Sequence, residues 1–304
     1  MTLQETLTMT ALMLAPAFFS LLGMAALGSP AVATLGEIAA KTKSRVFYEK
    51  YGQQTAAMGL ILFILLILVE VGGIALIYVK FPQYIRDILT PGTPFTLVLA
   101  ALGAFTLLGI PYLAFWKKMR NAKALRLILG IGASLAGIAM VALAIPAKLT
   151  FGLPPEQITP AIQAMLPPMA VMYCIQLLTA AAGLSCAYLV MRRNKDDFGR
   201  DYYNFSLKLA ARWSLIPMLG FLACQGWLFA VLPENFKTLV MGTPLGIVWA
   251  AGAGLGLVCA ILWLIIARSA TPLRLKGLSF LNALLLWLVH TASAVLFLNL
   301  MSMS

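Results

Sequence analysis

The chain has 304 residues, 62% of them hydrophobic and 11% charged, with a formal net charge of +12. A soluble domain of this length is about half apolar and a quarter charged, so this composition excludes an ordinary water-soluble fold and points to a lipid-embedded one. The excess of Lys and Arg does not argue for nucleic-acid binding, because the basic residues form short clusters between apolar runs rather than one continuous face.

A spanning helix needs about 20 apolar residues. Eight stretches qualify: Leu7–Leu35, Ala56–Val79, Phe95–Phe115, Leu127–Ile145, Met169–Met191, Leu209–Leu232, Leu245–Ile266 and Leu278–Leu300. None alternates with the period of two that a membrane β-barrel requires. The first span holds Gly28-Ser29-Pro30, where a kink is expected. Ala31-Val32-Ala33 resembles a signal-peptidase site, but the first 40 residues carry no Lys or Arg. A secretory leader needs a basic start, so the segment reads as a retained helix.

Eighteen of the 22 basic residues fall in the connections after spans one, three, five and seven. The other connections hold Lys80, Arg86, Lys148 and Lys237. Basic loops stay on the cytoplasmic side, which predicts that both termini lie outside.

Three motifs recur in order. Gly92-Thr93-Pro94 and Gly242-Thr243-Pro244 open spans three and seven, 150 residues apart. Leu125-Arg126-Leu127 and Leu273-Arg274-Leu275 open spans four and eight, 148 apart. The segment from Phe47 to Tyr51 precedes span two and that from Phe198 to Tyr203 precedes span six, about 154 apart. The expected fold class is therefore all-α: a polytopic membrane protein of eight helices in two fused four-helix units of one orientation, like parallel transporter repeats. The expected boundaries are residues 1–145, an outer linker 146–168 with six of the sixteen prolines, and residues 169–304.

Few side chains carry chemistry. Glu70 is the one acid well inside a span, about 14 residues and roughly 21 Å from the basic end of span two. It is a candidate proton-relay or quinone-headgroup contact, because an acid at such depth is costly unless used or hydrogen-bonded. His290, the single histidine, lies near the middle of span eight and can relay a proton, meet a quinone carbonyl or ligate a haem, where one histidine rules out a bis-histidine pair and leaves His/Met ligation, with none of the fifteen methionines singled out. Tyr173, Gln176 and Gln225 are further polar candidates, otherwise accounted for by interhelical hydrogen bonds. In the second unit Cys224 or Gln225 stands where Glu70 stands in the first. Gly252 with Gly256, and Gly132, Ala133, Ala136 and Gly137, read as close helix packing. Cys174, Cys186, Cys224 and Cys259 lie inside apolar runs without metal or disulfide spacing, and read as small buried hydrophobes. The Arg192–Arg200 cluster with Asp196, Asp197 and Asp201 reads as a solvated loop, or as a dock for a partner subunit or anionic lipid. No phosphate-binding, zinc-hydrolase or serine-hydrolase motif occurs, so no catalytic residue and no metal site is assigned.

From Phe18 to Gly73 the chain resembles subunit I of the cytochrome bd quinol oxidases. The resemblance is carried by Glu37 at the inner end of span one, the short basic loop, Tyr48 among Arg45, Glu49 and Lys50, then Gly59 and Gly72-Gly73. It implies an outside N-terminus and four-helix units. The family's haem-ligating histidine in its first helix falls here on Phe19, span five has no histidine, span three lacks the family's acids, and only Pro233 to Pro244 stands where the family has a long quinol loop. The resemblance thus implies a haem-free relative, with oxygen reduction lost. In architecture alone, the chain is also similar to the haem-free membrane anchors of polysulfide- and dimethyl-sulfoxide-reductase-type complexes.

The expected function is a haem-free subunit of a bacterial respiratory complex in the inner membrane, anchoring redox partners, with quinone as its only candidate cofactor. Its expected partners are the lipid bilayer and other subunits, not nucleic acid. The alternatives are a small-solute or ion transporter built from parallel repeats, whose signature is broken helices at mid-membrane, and a purely structural assembly subunit.

Overall fold

The computed structural model describes residues 2–153, 156, 158–196 and 198–303, the last three without their side chains. Every regular element among them is helical: α1 (Leu3–Lys43), α2 (Val46–Lys80), α3 (Pro82–Leu89), α4 (Phe95–Ala114), α5 (Lys123–Thr150), α6 (Pro160–Arg192), α7 (Gly199–Val231), α8 (Glu234–Met241), α9 (Pro244–Arg268) and α10 (Lys276–Met303). Eight are long and apolar enough to cross a membrane. The chain is an all-α, multi-pass membrane protein.

Several helices are longer than the apolar stretch that nucleates them. α1 has 41 residues and α2 has 35, where about 20 cross the hydrocarbon. The surplus lies largely at the basic ends: α1 closes on Lys41 and Lys43, and Ser44 turns the chain with a φ of 50°. Cations in a last helical turn meet the negative end of the helix dipole. α1 stays helical through Gly28-Ser29-Pro30, where the Ser29 hydroxyl donates to Ala25 O at 2.7 Å. α4, α6 and α7 likewise continue through Pro111, Pro167-Pro168 and Pro217.

The order of elements repeats. Two long helices, an eight-residue helix, a long helix, a short 3-10 turn and a last long helix run from α1 to α5. The same series runs from α6 to α10. The 3-10 turns are Lys118–Asn121 and Pro272–Leu275.

The chain forms two compact units, Leu22–Pro154 and Met1–Leu21 with Pro155–Ser304. In the first, α4 packs along α5 and also meets α2 and α3. Its core joins Ala33, Ala56, Tyr112, Leu113 and Trp116. In the second, α6 packs on α7, α7 on α9, α9 on α10 and α10 on α6, a closed ring of four helices. The first 21 residues of the chain belong with this second unit. Trp287 Nε1 donates to Leu14 O at 2.9 Å and Asn299 Nδ2 donates to Met9 Sδ at 3.2 Å, which holds the start of α1 on α10.

The proline-rich join is more helical than its composition suggests. α5 runs to Thr150, through Pro146, and α6 starts at Pro160. Proline is at home in a first helical turn, where its missing N–H would be unpaired anyway, and Thr159 caps that turn by accepting from Ile162 N at 3.3 Å. Of the expected linker, Pro154, Pro155 and Gln157 lie outside the described residues, as does Asp197.

Small residues pack as expected of a helix seam. A Cβ on Gly137 would come within 2.8 Å of Leu27 O, and one on Gly252 within 2.9 Å of Ala292. The four cysteines are free; Cys186, Cys224 and Cys259 are buried and Cys174 partly so.

Candidate functional site

In the second unit, buried polar side chains gather inside the helix ring. Tyr173 of α6 donates from its hydroxyl to Ser293 O of α10 at 3.3 Å. The Tyr173 ring stands edge-on to His290, with centroids 6.4 Å apart. His290 is 2% exposed, and its Nε2 shares a hydrogen bond of 3.0 Å with Ser20 Oγ. Gln225 of α7 joins Tyr173 and Ser293 around a cavity of about 10 Å³, otherwise walled by apolar side chains such as Met169, Trp249 and Phe297. That is about the space of one water. Gln225 is 6% exposed, and its Oε1 finds no partner among the described residues. Gln176, one helical turn from Tyr173, is 1% exposed and has neither amide atom bonded. A buried amide without a partner is costly, which favours a water or ligand atom beside it.

Three of the five side chains singled out from sequence thus gather around Tyr173: Tyr173 itself, Gln225 across the cavity and His290 beside its ring, while Gln176 is buried one turn along α6. Glu70 does not join them. It lies in the other unit on the half of α2 from Ile64 to Lys80, where no residue is buried. Glu70 itself is exposed on this face, and Lys148 of α5 is within its electrostatic reach without forming an ion pair. The match in depth between Glu70 and Gln225 is therefore not a match in surroundings: one faces outward and the other inward.

The first unit holds a second polar centre, at the basic ends of its helices. Arg126 Nε donates to Glu37 Oε2 at 2.9 Å and its Nη2 to Glu49 Oε1 at 3.0 Å. Tyr112 donates to Glu37 Oε1 at 3.1 Å, and the Tyr112 hydroxyl shares a 3.1 Å hydrogen bond with Thr34 Oγ1. The Arg126 guanidinium lies 4.4 Å above the Trp116 ring. Glu37, Arg126, Tyr112 and Trp116 are all buried. Four helices, α1, α2, α4 and α5, thus meet on one arginine or on its carboxylate. Only Glu37 and Glu49 stand out in the sequence, through the resemblance. Arg126 looks there like any basic residue at a span end, since a snorkelling arginine and a buried one share the same flanks.

No family model matches the sequence, and no curated protein does. Among solved structures, the chain is similar to one titled the structure of bd oxidase from Geobacillus thermodenitrificans. The TM-score is 0.70 at 12% identity, over 98% of this chain and 87% of that one. The fold is bd-oxidase-like. The likeness read from the first two spans extends, as a fold, over nearly the whole chain.

With one histidine, this bd-oxidase-like chain cannot supply bis-histidine haem ligation. That histidine has Nε2 hydrogen-bonded to Ser20, and the cavity beside Tyr173 has room for about one water. Phe19, at the position that the resemblance gives to a haem ligand, packs edge-on against Phe18 at 5.5 Å and has no donor atom. Among the described residues no three His, Cys, Asp or Glu side chains converge as metal ligands do.

Proposed function

We propose that this chain is a haem-free membrane subunit of a bacterial respiratory complex, seated in the inner membrane and serving to anchor redox partners. The observation that carries the reading is the bd-oxidase-like fold over 98% of the chain, combined with a single histidine that offers iron no bis-histidine pair. The Ile64–Lys80 half of α2, without a buried residue and with a carboxylic acid at Glu70, supports the anchoring role. An acid facing lipid is costly, whereas one facing a partner helix is covered.

Inside the second unit, we assign Tyr173, Gln225 and His290 to holding a water and passing a proton rather than to enclosing a quinone. A quinone ring far exceeds a space of about 10 Å³. The unpartnered Gln225 Oε1 accepts from such a water, and His290 accepts or releases its proton one ring away. Quinone exchange then belongs to the contact with partner subunits. The similar series α1–α5 and α6–α10 supports descent of the two units from one duplicated four-helix piece.

Purification from native membranes in mild detergent tests the reading. Redox subunits are expected to travel with the chain, and the isolated chain is expected to give a flat reduced-minus-oxidised spectrum in the haem region. A stoichiometric haem signal from the isolated chain, or a chain that travels alone while moving a solute in vesicles, overturns it.

A further inference from the structure

The two Leu-Arg-Leu motifs hold their arginines in opposite conditions. Arg126 is buried between Glu37 and Glu49 in the first unit. Arg274, in the 3-10 turn before α10, is exposed and makes no ion pair among the described residues. The shift of 148 residues that pairs the two arginines puts Ser185 in the place of Glu37 and Asp197, which lies outside the described residues, in the place of Glu49. Glu37, the buried carboxylate that pairs with Arg126, thus has a serine as its counterpart in the second unit.

A cleft of about 620 Å³ opens instead, lined by Arg274, Arg193, Arg200, Tyr203, Asn194 and Asp196. Among the described residues Asp196 is the one carboxylate lining it, and that group is already engaged: Arg192 pairs with it and the Tyr203 hydroxyl donates to it at 3.2 Å. Asp201 lies nearby in the first turn of α7. Arg193, Arg200 and Arg274 come from three separate points, the end of α6, the start of α7 and the turn before α10, and none of them is ion-paired among the described residues. Leu273 N donates to Asn204 Oδ1 at 3.3 Å, which ties the turn carrying Arg274 to α7 and fixes one side of the cleft.

We propose that this cleft binds a phosphate group, presented by an anionic glycerophospholipid. Guanidinium forks match phosphate oxygens in pairs, and three of them around one cleft suit a phosphodiester better than a lone carboxylate. The cleft sits where apolar helices end in a basic segment, the level at which lipid headgroups carry their phosphates. The site is independent of the anchoring role: it requires only that this end of the unit meet a membrane surface.

The test uses the full chain, stripped of lipid in detergent, and its Arg274→Gln and Arg193→Gln variants. In one arm, native mass spectrometry compares retention of phosphatidylglycerol and phosphatidylcholine. In the other, thermal unfolding is followed with millimolar inorganic phosphate and no lipid. Retention of phosphatidylglycerol over phosphatidylcholine is expected, falling by about tenfold or more in either variant, because each loses charge-assisted hydrogen bonds. Arg274→Lys, which keeps the charge and loses the fork, is expected to fall between. Unfolding in the absence of anions is expected to be the same for wild type and Arg274→Gln, since Arg274 is exposed and unpaired. Phosphate alone is expected to change nothing. Equal protection by inorganic phosphate, lost in the same variants, overturns the lipid source. Retention that ignores charge or substitution, or a cleft found covered by an acidic segment of a partner protein, overturns the site itself.

Discussion

Arg126 Nε donates to Glu37 Oε2 at 2.9 Å, and both side chains are only 3% exposed. A buried ion pair of this kind adds little over a well-packed apolar pair, yet removing one partner strands the other charge. Arg126→Leu therefore leaves Glu37 uncompensated beside Tyr112, and is expected to destabilise the chain by about 3–5 kcal/mol. Glu37→Gln keeps the hydrogen-bond geometry and is expected to cost less, and Arg126→Leu combined with Glu37→Leu is expected to recover much of the loss. Thermal unfolding of the four proteins in one detergent checks the order. Equal stability of Arg126→Leu and wild type refutes it.

Gly130 lets this centre close. A Cβ there would meet Thr34 Oγ1 and come within 2.6 Å of the Tyr112 ring. Gly130→Ala is expected to push Tyr112 off Glu37 and to cost about 1–3 kcal/mol, the usual penalty of overpacking. Gly103, with open space around its Cβ position, is the control: Gly103→Ala is expected to be neutral or slightly stabilising. Unfolding midpoints of the two variants, measured side by side, decide this.

How much of this was legible in the sequence follows from what each feature depends on. The spans were legible because about 20 apolar residues in a row have one physical use, and the helix ends because lysines and arginines mark them. Tyr173, Gln176, Gln225 and His290 stood out because polar groups inside apolar runs are few. That Tyr173, Gln225 and His290 converge was not legible: it depends on which faces of α6, α7 and α10 turn inward, and α6 and α10 carry almost no amphipathic pattern. Glu70 looked like its neighbours in kind and differs in orientation for the same reason. The Arg126 centre joins residues 77 and 89 positions apart, a separation that no local pattern encodes. Nor did the sequence show that the first 21 residues belong with the second unit, since that rests on single bonds from Leu14, Met9 and Ser20 to α10.

Glu70 gives a test that separates stability from assembly. It is exposed on α2 and has no ion pair among the described residues. Glu70→Leu is thus expected to leave unfolding of the isolated chain within about 0.5 kcal/mol of wild type, as surface changes do. If α2 is the partner-facing helix, the same change is expected to reduce the yield of partner subunits recovered with the tagged chain by severalfold, with Glu70→Gln intermediate. Recovery unchanged for both variants removes Glu70 from the interface.

His290 and Gln225 distinguish a working relay from a structural bond. His290→Phe removes the titrating ring while filling most of its space, and Gln225→Leu removes the unpartnered Oε1 that faces the cavity. Under the relay reading, each is expected to slow proton-coupled turnover of the assembled complex by at least about tenfold, within the range that a positioned acid–base group contributes. Subunit composition is expected to stay unchanged. Ser20→Ala, which loses only the 3.0 Å bond to His290 Nε2, is expected to slow turnover much less and to cost about 1 kcal/mol of stability. Solvent deuterium oxide sharpens the result: the isotope effect is expected to rise in Gln225→Leu, where proton passage becomes limiting, and to stay at the wild-type value in Ser20→Ala. Full turnover in both His290→Phe and Gln225→Leu leaves these residues with a packing role only.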